Sequence, residues 1–107
     1  MIVSTSPFVA GKRIKRTLGL VRGNTVRASH LGNDILAFFR NVVGGEVHEY
    51  TKLIAESREH AIDRMVEEAQ SLGANGIVSM RFSTAEIGHG LAEMLAYGTA
   101  VVLEDEA

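Results

Sequence analysis

The stretch Val47–Leu72, VHEYTKLIAESREHAIDRMVEEAQSL, followed by GAN and by GIVSMRFST at Gly76–Thr84, decides the fold. The first 26 residues contain neither Pro nor Gly. Tyr50, Ile54, Ala61, Met65, Ala69 and Leu72 recur at a period of about 3.6 residues, with Leu53, Ile62 and Val66 on the flanks, which predicts one long amphipathic helix. Glu46 and Glu49 sit near its start, where the helix dipole favours negative charge, and Gly73 stands where a helix takes a left-handed terminating residue. Immediately after that glycine the pattern changes: GIVSMRFST is short, apolar and β-branched, the signature of a strand.

Outward from this pair, Ala92–Leu103 (AEMLAYGTAVVL) predicts a second strand. The short connection with Gly88, His89 and Gly90 favours an antiparallel neighbour, because a parallel one needs a crossover. On the N-terminal side, Ile14–Val26 (IKRTLGLVRGNTV) predicts a strand with Gly19 and Gly23 as points of bulging or close approach. Met1–Ser4 predicts a short strand stopped by Pro7, with a turn at Gly11. In LGNDILAFFRNVV, Leu31, Ile35, Phe38, Phe39, Val42 and Val43 recur at helical spacing and predict a short helix ending before Gly44 and Gly45. The acidic tail Glu104, Asp105, Glu106 is expected to fray.

These elements make one α+β domain over residues 1–107, a small antiparallel sheet packed on one long helix, with a short helix besides. One helix covers only one face of such a sheet. Assembly into a closed homo-oligomer is the expected cover for the rest.

Composition narrows the chemistry. Of 107 residues 46% are hydrophobic and 22% charged, which is ordinary globular usage. With no cysteine, disulfides, thiolate nucleophiles and thiolate metal sites are excluded, so any bound metal ion must use His and carboxylates. Neither a leader peptide nor a membrane span is indicated, and a cytoplasmic location is the expectation. Residues 1–33 hold six bases and no acid, against five bases and thirteen acids in the rest. Such a split can mark an anionic partner, but no aromatic residues interleave the bases. Solvated positions of an edge strand are the simpler reading, and nucleic acid is not the expected partner.

No enzyme motif is present. GHG at Gly88–Gly90 is no dinucleotide fingerprint, Ser29 and His30 are adjacent and diverge, and no nucleophile elbow, Walker loop or H-E-x-x-H occurs. Two weaker constellations remain. Glu56 and His60, four residues apart in the polar sector with Glu59, Asp63 and Glu67, can face one cation, although the polar side of any amphipathic helix carries such a stripe and Arg64 opposes a cation there. Gly44, Gly45, His48 and Tyr50 surround a helix N-terminus, where free N–H groups can receive an anion.

The run FFRNVVGGEVHEYTKLIAESREHAIDRMVEEAQSLGANGIV, the closing YGTAVVL and the opening STSPFVAGKRI together resemble the bacterial YbjQ family. Its members pair a glycine doublet before a long helix with an LGAxxIV strand start and a terminal GTAV strand. The order and spacing of Gly44, Gly45, Tyr50, Ala61, Ala69, Gly73, Ala74, Gly98, Thr99 and Ala100 carry the resemblance over nearly the whole chain. It implies a dodecin-like β-α-β-β subunit with extra short strands that forms rings, usually pentamers, and a heavy-metal-binding label without an agreed ligand set. The chain departs from the family at Val47, His48 and Glu49. The reading at this stage is a ring-forming binding module for a metal ion or small anionic ligand at subunit interfaces. An active site shared between subunits and an interaction scaffold using the basic N-terminal strand are the alternatives.

Overall fold

A computed structural model describes residues 1–27, 47–86 and 92–106 of the chain. The expected short helix over Leu31–Val43, the glycine pair Gly44 and Gly45, and the Gly88–Gly90 connection lie outside the described residues. The elements are β1 (Ile2–Val3), β2 (Lys12–Arg27), α1 (Val47–Ser71), β3 (Gly76–Glu86) and β4 (Ala92–Asp105). They form two layers, a four-stranded sheet in the order β1-β3-β4-β2 and one helix laid mainly across β2 and β4. The three long strands are antiparallel as expected, and β1 adds a parallel pairing, Ile2 with Gly76 and Val3 with Ile77, making the sheet mixed. The slab is long and thin, 58 × 25 × 16 Å.

The helix forms where the sequence places it because its apolar stripe meets a matching row on the sheet. Ala61, Met65 and Ala69 are fully buried against Val21, Ile77, Ala96 and Ala100, with Ile62 and Val66 packed on the margin. Full burial of a side chain such as Met65 or Ile77 contributes roughly 1.5–3 kcal/mol. Ser57, one turn before Ala61, is also buried, and Thr25 Oγ1 donates to its carbonyl at 3.4 Å. Leu72, expected on the buried face, is instead 46% exposed. It sits beyond the last helical residue, where the chain leaves the helix axis at Gly73, φ 87°. There Gly73 N–H donates to the Gln70 carbonyl at 3.0 Å and Ala74 N–H to the Ala69 carbonyl at 3.0 Å, the paired bonds of a Schellman cap.

Three single-residue bulges set the register. Two lie in β2, between Ile14 and Arg16 and between Thr17 and Gly19, where Gly19 adopts φ 114°. The third lies in β3 between Val78 and Arg81, around Ser79 at φ 55°. Gly98 passes this bulge so closely that a Cβ there would stand 2.7 Å from Ile77 Cγ2. Val78 O and Met80 Cα, at 3.1 and 3.3 Å from that position, are its next neighbours, so the close approach is to residues of the same chain.

A second cluster, Val78, Val101 and Leu103, lies on the sheet face away from the helix and is covered by Val9 of the N-terminal segment. The tail is not frayed as expected. Asp105 ends β4 opposite Lys12, and Glu106 N–H donates to the Gly11 carbonyl at 3.2 Å.

Candidate functional site

The polar sector of α1 is solvated along its length: Glu56, Glu59, His60, Asp63 and Glu67 are all exposed. Glu56 and His60 stand one turn apart, but among the described residues no group of three or more His, Asp or Glu side chains is placed to hold a metal ion. Two donors of one helix fall short of the three or four that a protein metal site uses, and with no cysteine in the chain no soft thiolate cage can form. The single chain, as described, does not fit a heavy-metal centre. Arg64 Nη1 donates to the Asn24 carbonyl at 2.5 Å and ties the helix to β2.

His48 and Tyr50 fall in the first turn of α1, which begins at Val47. Their side chains lie outside the described residues, as do Gly44 and Gly45.

The basic N-terminal strand lies at one edge of the sheet, and its first bases are neutralised across the ladder. Lys12 Nζ bonds Asp105 Oδ1 at 2.5 Å, and Arg13 bonds Glu104. The hydrogen bond from Lys12, reinforced by its charge, holds the Asp105 carboxyl below the usual carboxylate range. Further along, Asn24 Nδ2 donates to Glu93 Oε2 at 3.1 Å. Of the six N-terminal bases, Lys12 and Arg13 are paired with acids of β4.

One arrangement was not anticipated from sequence. Arg22 of β2, Tyr97 of β4 and Arg81 of β3 lie side by side in register on the face away from α1. Arg81 Nη1 donates to the Thr5 carbonyl at 2.7 Å and to the Met80 carbonyl at 2.8 Å, which fixes its stem against the N-terminal segment. The only signal in the sequence was the alternation Leu95, Tyr97, Thr99, whose cross-strand neighbours depend on the bulges.

The residues that carry the fold, from the N-terminal segment to the Gly73 cap and the Gly98 crossing, match a protein-family model described as "Putative heavy-metal-binding" over residues 1–104. The chain belongs to this family. It is the YbjQ family that the sequence resembled. A UPF0145 protein of Clostridioides difficile is 54% identical over 106 residues, covering 99% of this chain and 95% of that one. A UPF0145 protein of Pyrococcus furiosus is likewise 54% identical, covering 99% of this chain and 93% of the relative. A crystal structure of a protein of unknown function from Pediococcus pentosaceus, assigned to the DUF74 family, superposes with a TM-score of 0.56 at 18% identity over 97% of this chain and 98% of that one. At that identity the likeness establishes the fold alone. Among the described residues of this YbjQ-family chain no helix is long and apolar enough to cross a membrane.

Proposed function

We propose that this YbjQ-family chain is a cytoplasmic, self-associating binding module that closes into a ring, of five subunits as the family resemblance implies. Its ligand, a small anion or a metal ion, would sit between subunits near Gly44, Gly45, His48 and Tyr50. The observation that carries the assembly is the sheet face away from α1, where Leu20 is 64% and Val26 48% exposed. The one helix among the described residues lies on the other face, and exposed apolar surface of this kind is what symmetric association buries. A helix N-terminus preceded by two glycines supports an anion at the proposed site. For a metal ion a second place is Glu56 and His60, with a neighbouring subunit supplying the remainder because the described residues of one chain offer no third, and substituting that pair tests it.

Native mass spectrometry on untagged protein purified without chelators tests both parts. A closed oligomer with a stoichiometric adduct, lost on substituting His48 and Tyr50, is the expected result. A monomer at micromolar concentration would overturn the assembly, and a bare ring under all loading conditions would overturn the ligand.

A further inference from the structure

The row Arg22–Tyr97–Arg81 has no part in the core. Val21 and the backbone of Gly23 face α1, so Arg22 between them stands on the opposite face, with Tyr97 directly across on β4 and Arg81 directly across from Tyr97 on β3. Two strand spacings separate the two arginine backbones by about 10 Å.

The charges in this row differ from those at the start of β2. Where β2 carries Lys12 and Arg13, β4 sets Asp105 and Glu104 opposite. Opposite Arg22 and Arg81 it sets a neutral phenol shared between them. The neighbouring rows on this face are Leu20, Thr99 and Val78 on one side and Asn24, Leu95 and Ser83 on the other, none of them acidic. Glu93 lies one row further and already accepts from Asn24. Among the described residues neither Arg22 nor Arg81 enters an ion pair. Two guanidiniums on one sheet face without a counter-charge repel each other. The bonds that anchor Arg81 use one of its nitrogens, and a guanidinium has five N–H donors in all.

We propose that this row is an anion-binding site for a small ligand of the diphosphate class. Arg22 and Arg81 each take one phosphoryl group through charge-assisted hydrogen bonds, and the Tyr97 hydroxyl donates between them. The strand separation favours an extended, doubly charged group over a single phosphate, because each guanidinium meets its own charge without both stems bending to one point. The site lies within one subunit and uses none of Gly44, Gly45, His48 or Tyr50. It draws on a different set of residues from the ligand site proposed above, although Arg22 lies on the same sheet face as the exposed Leu20 and Val26, so pyrophosphate binding requires a subunit contact that leaves the row open.

Isothermal titration of the full chain with inorganic pyrophosphate at low ionic strength tests it. Saturable binding at one per subunit is expected, weakened about ten-fold or more in Arg22→Gln and in Arg81→Lys, which keeps the charge but loses the fork. Tyr97→Phe should weaken binding a few-fold, and added potassium chloride should weaken it in the parent chain. Lys12→Gln, whose parent side chain is already paired, should bind as the parent does. Among the described residues Arg22 makes no anchoring contact like that of Arg81, so Arg22→Gln with an unchanged circular dichroism spectrum is the deciding variant. No saturable heat with pyrophosphate, unchanged binding in that variant, or orthophosphate binding as tightly as pyrophosphate would each overturn the proposal.

Discussion

A Cβ placed on Gly23 of β2 would stand 2.2 Å from the carbonyl oxygen of Ala61 and 2.3 Å from the amide nitrogen of Met65. The helix backbone rests directly on the strand backbone, and Ala61 at full burial is the matching small residue on the other side. Both obstacles are main chain, so no rotamer change relieves them. Gly23→Ala should therefore destabilise the chain by about 1–3 kcal/mol, the usual cost of overpacking, in urea unfolding. Gly11→Ala, at a position where a Cβ meets nothing within 4 Å but φ is 79°, should cost only about 1–2 kcal/mol from backbone strain.

Asn75 extends the β3–β4 ladder with its side chain. Its Nδ2 donates to the Leu103 carbonyl at 2.9 Å, and its Oδ1 accepts from Leu103 N–H at 2.6 Å, so the amide stands in for one more paired residue. Asn75→Ala leaves both Leu103 groups without these partners and should cost about 1–3 kcal/mol in thermal unfolding. Asn75→Asp should cost at least as much at neutral pH, because a carboxylate cannot donate to the Leu103 carbonyl. Hydrogen exchange at Leu103 N–H separates the two: it should quicken strongly in Asn75→Ala and less in Asn75→Asp, where Oδ1 still accepts.

What the sequence reveals here is local. The period of Ala61, Met65 and Ala69, the terminating Gly73, and the roles of Gly19 at a bulge and Gly23 at a close approach are all written within a few residues of where they act. Ser57 escaped because a polar residue on the apolar stripe reads as an interruption, although its carbonyl meets Thr25. Ser79 escaped because serine does not announce a positive φ. The parallel pairing of Ile2 with Gly76 and the docking of Asp105 on Lys12 join residues more than seventy positions apart, where no periodicity reaches. The Arg22–Tyr97–Arg81 row is the most hidden, since it requires the strand order and the three bulges together. Of the residues singled out beforehand, Glu56 and His60 did fall on one exposed helical face, without the third ligand that would make a centre.

The Asp105 carboxyl titrates low because Lys12 donates to it and stands beside it as a charge. A carboxyl whose folded value lies below its unfolded one adds stability above the unfolded value, about 3.9, and that contribution is lost as pH falls through the folded value. Carbon-13 NMR titration should show Asp105 moving up towards the ordinary range in Lys12→Gln. High salt should move it in the same direction in the parent chain, because the pair is solvent-exposed and screened. In Lys12→Gln the folded and unfolded values of this carboxyl draw together, so it no longer adds to the acid limb of the stability curve, which should become slightly shallower.

Leu20 and Val26 stand on the same face of β2, six residues apart and well exposed, flanking Arg22 and Asn24. Neither touches the core clusters, so charging them should leave the fold intact. Burial of an aliphatic side chain at a contact is worth about 1.5–3 kcal/mol. Leu20→Lys with Val26→Lys should therefore weaken self-association by at least about ten-fold and shift the native mass spectrum towards smaller species, with the circular dichroism unchanged. Should the double variant keep the parent's subunit number under dilution, this face is not the one that the assembly covers, and the edges of β2 and β3 become the surfaces to probe. A single charge reversal at Glu68, exposed on α1, is the matched control and should leave the subunit number unaltered.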